Sequence, residues 1–357
     1  MNVYIKFLTS LFIKSFIYVF LVITSLVFIL NLLSEIDFFK DISVENYFPI
    51  FLTALNTPTV IFEMLPFIFL ISTQLFFIKL FENKEIDIFK YTGLKNSKIF
   101  IIIGIISLIM AIFSTIFFYN FSSSLKSFYL ELKSQYTSDE RHLAVITKNG
   151  LWIKDKLDDK VLIINSSKIE QNFLIGNFIT EFDKNFKSIR NITSEKIDIT
   201  QKNWIIYNAK IYKKNNYKDI DQIELKTNFD YKSIQSLYSN LSALNIIQLY
   251  DLRKNYIKLN YSVTEVNLQI LKLILFPLYL LLMVLFSAII MLRIKYLDSS
   301  TIKISIGLFF SVIIYYINNF FYVLGSTERL PLSFATLLPI LILVLTNSLL
   351  LNKINEK

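Results

Sequence analysis

The chain has 357 residues, 54% of them hydrophobic, with 37 Lys/Arg against 28 Asp/Glu. That apolar share, with a mean hydropathy of +0.51, excludes an ordinary soluble globular protein and puts the chain in the membrane class. There is no cysteine and a single histidine, His142, so disulfides, thiolate metal sites and histidine clusters are excluded as well.

Residues 11–33 form an apolar run too long for the core of a signal peptide, and no small-residue cleavage site follows. A retained span is expected there. Ser34–Thr57, with Glu35, Asp37, Asp41 and Glu45 against Lys40, reads as a loop. Further spans are expected near 58–80 and 99–121 and, beyond a long polar block, near 270–292, 302–324 and 332–351. The fold class is therefore an α-helical membrane protein with six transmembrane helices, three plus three, around an inserted block. Pro66, Pro277 and Pro339 can kink their helices.

The short connections differ sharply in charge. One set (Lys6, Lys14; Lys79, Lys84, Lys90, Lys95, Lys98; Arg293, Lys295, Lys303; Lys353, Lys357) holds twelve basic residues, and the other holds Lys40 and Arg329. Basic loops stay in the cytoplasm, which predicts cytoplasmic termini and an outer block at 122–266.

Between the second and third spans, Phe81–Lys98 reads as one short helix. Asn83 is its expected N-cap, Glu85 and Asp87 lie in its first turn, Lys90 in its last, and Gly93 is a left-handed stop. Ile86 and Phe89 share a side, with Ile88 and Tyr91 beside them. So short a helix is marginal in water unless it docks. The stretch is either a handle for another protein or a loop lying on the bilayer.

From His142 to Asp230 the outer block alternates β-branched and aromatic runs with turn residues, such as LWIK, VLIINS, NFLIGNFITEF and NWIIYNAKIY. Asn149-Gly150 is its clearest hairpin signal. Eight or so strands are expected, as a sandwich, a jelly roll or a curved open sheet. After Ser239 the spacing of Leu244, Ile247, Tyr250, Leu252 and Ile257 suits a helix leading back to the membrane.

The six glycines are too dispersed for a phosphate loop. No carboxylate pair or His cluster falls in the spans, so a non-catalytic chain without cofactor or metal is expected. Polar residues within or ending spans remain: Asn31, Glu63, Lys272 and Asn318-Asn319. Glu63 and Lys272 lie near the outer face, where they can snorkel. Two adjacent amides cannot both face lipid cheaply, so one of them should meet another helix or a wet cavity.

Three spans, a β-rich block and three more spans resemble the lipopolysaccharide-export permease family, the LptF/LptG type. KEIDIFKYTGLK resembles the family's cytoplasmic motif, matching at Glu85, Ile86, Gly93 and Leu94 and carrying Lys90 at the basic position. Lys84 and Lys95 depart from it. Gly150-Leu151-Trp152-x-Lys154 resembles the start of the LptG-like β-domain; Lys272 with Pro277, Gly307, Tyr315-Tyr316, Leu330-Pro331 and Leu338-Pro339 follow the second membrane half.

The resemblance implies a first membrane half at 1–121, a periplasmic, jelly-roll-like domain at 122–266 and a second membrane half at 267–357. It implies an inner-membrane permease subunit paired with a paralogous subunit around a lipid cavity, with spans one and five at the seams. A cytoplasmic ABC ATPase dimer would dock on a coupling helix at 82–93, through Glu82, Glu85, Ile86, Phe89, Lys90 and Gly93. Lipopolysaccharide would pass to a periplasmic β-jelly-roll bridge, and no nucleic acid is implied. Where some family members carry cavity lysines, this chain has Asn31 and Thr59; Lys40, Lys272, Asn318 and Asn319 complete the candidate cavity set. Two rivals are a mechanotransmitting ABC subunit acting on periplasmic partners, and a sensor, for which the tail Leu351–Lys357 is short.

Overall fold

The computed structural model describes residues 3–134, 136, 151–157, 160–170, 172–184, 186–213, 216–231, 234, 240–258, 262–297 and 299–355. Six of its helical stretches are long and apolar enough to cross a bilayer. The chain forms two compact units: Met1–Tyr129 with Ser242–Ile246 and Thr264–Lys357, and Leu130–Leu241 with Ile247–Val263.

In the helical unit α1 runs Val3–Phe38 and α2 runs Phe48–Glu82. The second span thus starts ten residues before the expected 58 and shortens the first connection. Pro49 sits in its first turn, where a missing N–H costs nothing. The Thr53 and Thr57 hydroxyls donate to the Pro49 and Thr53 carbonyls, each at 2.7 Å. That back-bonding hides the polarity that makes the stretch read as a loop.

A short helix, α3, covers Glu85–Tyr91, and α4 covers Asn96–Phe113. A π-turn at Ser114–Phe118 joins α4 to α5, Tyr119–Ser134. The third span therefore continues well past residue 121. Thr59 and Tyr129 hold this extension, donating to Ser122 O at 3.0 Å and to the Glu35 carboxylate at 2.7 Å. The last three spans are α7, Thr264–Arg293, α8, Ser300–Ser326, and α9, Leu332–Asn355, with α6, Ile246–Lys258, before them.

Most of α2 and α7 is buried, whereas α1 and α8 leave most of their surface open. Rings fill the first half, with Phe12–Phe76 at 5.9 Å and Phe16–Phe69 at 5.0 Å, and Phe62–Phe276 at 4.7 Å joins it to α7. Polar side chains tie helix to helix. Ser287 Oγ donates to Leu70 O at 2.9 Å, Asn347 Nδ2 to Leu282 O at 3.1 Å and Gln74 Nε2 to Lys303 O at 3.1 Å. Such bonds replace the hydrophobic drive that hydrocarbon cannot supply between helices.

The second unit holds one six-stranded antiparallel sheet in sequence order, so the described strands make an open meander. They are β1 Leu151–Lys156, β2 Val161–Glu170, β3 Phe173–Phe182, β4 Ser188–Asp198, β5 Asn203–Lys213 and β6 Asn216–Lys226. Its register places Ile153, Ile164, Ile179, Ile192 and Ile211 in one row across five strands. Cross-strand β-branched rows of this kind fix register, because a one-residue slip would turn the whole row to the other face.

Beside that row Trp204 is fully buried, its Nε1 donating to Phe229 O at 2.9 Å. The buried Asp155 carboxylate accepts from Asn228, at 2.9 Å from the backbone N–H and 2.8 Å from the amide. Arg190 forks onto the buried Glu181 at 2.7 and 2.9 Å. In α6 the buried side chains are Leu249 and Leu252, while Ile247 and Ile257 are exposed. His142, the run LAVIT and the Asn149-Gly150 hairpin lie outside the described residues.

Candidate functional site

The joint between α2 and α3 is built by three backbone choices. Asn83 caps the C-terminus of α2 at φ −84 and ψ 3, outside both the helical and the extended regions, with its N–H donating to Lys79 O, so it ends α2 rather than opening α3. An N-cap needs extended backbone, which this tight joint does not allow. Lys84 then takes φ +54, and the Asn83 amide donates to a Glu85 carboxylate oxygen at 3.4 Å. After seven residues α3 stops where Gly93 adopts φ +80, and Leu94 N–H donates back to Phe89 O at 2.8 Å. A six-to-one bond around a left-handed glycine closes a helix end in the Schellman manner.

Between the start of α1 and α3 lies a cleft of about 780 Å³. Tyr4 and Phe7 form one wall; Glu85, Ile88 and Phe89 form the other, with Gly93 and Lys98 also on its lining. Phe7 and Phe89 meet at 6.2 Å between ring centroids. Ile88 and Tyr91 are exposed, Tyr91 at 92%, whereas Ile86 is turned inward at 4%. The Glu85 Oε2 atom is buried and has no hydrogen-bond partner among the described residues.

Glu82, at the end of α2, accepts from the Ser300 hydroxyl at 3.0 Å, and Lys303 lies 5.1 Å over the Phe81 ring. Of the six residues singled out in this stretch, Glu85, Phe89 and Gly93 line the cleft and Glu82 joins α2 to α8. Ile86 packs inside, and Lys90 lies within α3. Phe7 and Tyr4 could not have been chosen from sequence, because nothing in an apolar N-terminal run marks which side faces a helix 80 residues away.

The candidate cavity residues separate in the same way. Lys272 on α7 is exposed and stands 5.5 Å over the Tyr322 ring. Asn318 precedes Tyr322 by one helical turn and is half-buried, while Asn319 is exposed. Tyr315 of the same helix packs on Phe67 at 5.6 Å.

Asn31 Nδ2 is buried without a hydrogen-bond partner among the described residues, and Lys40 is exposed beyond the end of α1. Thr59 is buried and spends its hydroxyl on Ser122 O, tying α2 to α5. A cluster not singled out from sequence lies on α1, α2 and α5. Tyr129 bonds the buried Glu35, and Lys126 donates to Asn56 Oδ1 at 2.6 Å while lying 4.5 Å over the Tyr129 ring. Glu35 reads as a loop acid because the apolar run ends just before it.

Six membrane-spanning helices, three before and three after an inserted antiparallel sheet in the chain, define a polytopic membrane protein with a β-rich insert. Residues 6–353 match the family profile described as lipopolysaccharide export system permease LptF/LptG. The chain belongs to that family, whose members are transmembrane transporter subunits rather than catalysts. Comparison with curated proteins gives no match.

Proposed function

We propose that the chain is one of two paired permease subunits of an ATP-driven exporter that lifts lipopolysaccharide out of the inner membrane of a Gram-negative bacterium. Both termini and α3 face the cytoplasm, and the β-rich block 122–266 is periplasmic, in keeping with the twelve-to-two loop charges. A separate ABC ATPase dimer docks on α3. The observation that carries this reading is Glu85. Its Oε2 lies buried at an open cleft with no hydrogen-bond partner among the described residues, an expensive state unless an incoming cation completes it. Phe89 and Phe7 line the same cleft, and the exposed Ile88 and Tyr91 add apolar contact.

Movement at the joint has a direct route to span five. Glu82 holds Ser300, and Gln74 holds the Lys303 carbonyl. A Cβ built on Gly307 would lie 1.6 Å from the Gln74 amide nitrogen, so α2 and α8 touch there without a gap. Span five carries Asn318 and Asn319 beside Tyr322 and Lys272. These line the route of lipid A phosphates that enter sideways from the outer leaflet between α1 and α8 of paired subunits. ATP-driven closure then pushes the lipid towards the β-rich domain, which passes it to a β-jelly-roll bridge.

Glu85→Arg tests the docking. Breaking a partly buried pair costs roughly 2–5 kcal/mol, an exposed one at most about 1 kcal/mol. Glu85→Arg is expected to abolish co-purification of the ATPase without impairing membrane insertion, while Asp87→Arg, on an exposed position, is mild. ATPase binding and lipid export unchanged in both variants would refute the proposal.

A further inference from the structure

Helices α7, α8 and α9 enclose an apolar groove of about 540 Å³, apart from both regions described above. At one end α8 and α9 are pinched together: a Cβ built on Gly325 would sit 2.6 Å from Ala335 Cβ and 3.2 Å from Leu268. Towards the other end the gap opens, bounded by Ile306 to Ile317 on α8 and Pro339 to Leu350 on α9. At 1.5 Å per residue each wall is about 16 Å long, half of the roughly 30 Å hydrocarbon core. The groove has the depth of one leaflet.

Its floor is apolar. Phe286 and Ile290 of α7 are buried beneath it, and Phe310 stands 6.0 Å from Phe286 while remaining partly exposed. Among its lining residues the one hydroxyl, on Thr346, donates to Leu343 O at 2.9 Å within its own helix. A gap of this kind in hydrocarbon loses dispersion contacts unless a flexible apolar chain fills it. The mouth carries a cation. Arg293, the last residue of α7, is exposed and spends one N–H on Leu350 O at 3.3 Å, bridging α7 to α9. Guanidinium has five donors in a planar fork that suits phosphate oxygens.

We propose that this groove holds one acyl chain of an anionic glycerophospholipid from the leaflet at its Arg293 end, with the headgroup phosphate on Arg293. The lipid wedges the open end of the α8–α9 hairpin and is a resident, not the exported cargo. Only the name of its leaflet, cytoplasmic, rests on the orientation proposed above; the groove itself does not.

Photoreactive lipids test this. The full-length protein in its assembly is placed in phosphatidylcholine vesicles containing either phosphatidylglycerol or phosphatidylcholine with a diazirine at mid-chain. After irradiation the adducts are mapped by mass spectrometry. Adducts are expected at 306–317 and 339–350, about fivefold more from phosphatidylglycerol, the preference one basic side chain gives at an anionic surface. Arg293→Gln should remove the preference, and Ile342→Trp, which fills the groove, should remove the adducts. If Ile342→Trp does not accumulate, mapping on the unaltered chain decides alone. Equal labelling by both lipids, or a groove left unlabelled while the open faces of α1 and α8 react, overturns the proposal. So does a photoreactive residue at Ile342 that captures a protein chain instead of lipid. None of these outcomes depends on ATPase docking or on export.

Discussion

Glu181 and Arg190 show what single residues do in the β-rich unit. Glu181 is 2% exposed and takes two hydrogen bonds from Arg190, with Lys160 3.8 Å away. Bonding to Glu181 raises the Arg190 pKa further above an already high value. A raised folded-state value stabilises below arginine's ordinary pKa and is lost only above it, so the arginine adds no pH dependence near neutrality. Removing the guanidinium leaves a buried carboxylate with a weaker partner. Arg190→Met is therefore expected to cost about 2–3 kcal/mol, the low side of a broken buried pair because Arg190 is partly exposed. Both tryptophans, Trp152 and Trp204, lie in this sheet, so their fluorescence reads this unit alone. The unfolding midpoint should fall by roughly 5–10 °C. Changing Glu181→Leu as well should recover most of the loss, and a midpoint that does not move in the single variant would show the pair to be inert.

At the scale of an element, α8 is the helix whose two faces do different work. One face meets α2 through Gly307 and Gln74, another closes on α7 and α9 at Gly325, and much of the remainder is open. Gly307→Ala pushes aside the Gln74 amide and should cost about 1 kcal/mol, the worth of the hydrogen bond to Lys303 O. Gly307→Leu cannot be accommodated by a rotamer and should uncouple lipid export from ATP hydrolysis while leaving the ATPase bound. Export at the normal rate in the leucine variant would remove α2–α8 contact from the mechanism. A photo-crosslinker at Asn319 is expected to capture lipopolysaccharide. The same probe at Ile313, which lines the phospholipid groove, should capture phospholipid instead. Equal lipopolysaccharide capture at both positions would reduce the amides to packing groups.

For the whole molecule the decisive property is orientation. A cysteine replacing Lys95 should be shielded from a membrane-impermeant thiol reagent in cells whose outer membrane has been opened. One replacing the exposed Lys202, in the turn before β5, should react. The chain has no native cysteine, so each label has a single origin. Labelling at 95 but not at 202 would invert the protein and remove the ATPase from α3 and the bridge from the β-rich unit.

Sequence by itself determined the six spans, the β-rich insert and the glycine that stops α3. Each is set by neighbours along the chain: hydrocarbon accepts a run of apolar residues only as a helix, and a left-handed turn favours glycine. Family membership was also legible, because ordered motifs spread along the chain carry it. Tertiary structure alone decided where α2 begins and how far α5 runs. The Thr59 hydroxyl bonds to the Ser122 carbonyl 63 residues away, and Tyr129 reaches a glutamate 94 residues away. It also turned Ile86 inward and Phe89 towards Phe7, though one helical face of α3 carries both side chains in sequence. Hydropathy adds up along the chain, whereas a cleft forms where two distant segments pack, and no local pattern encodes which sides meet.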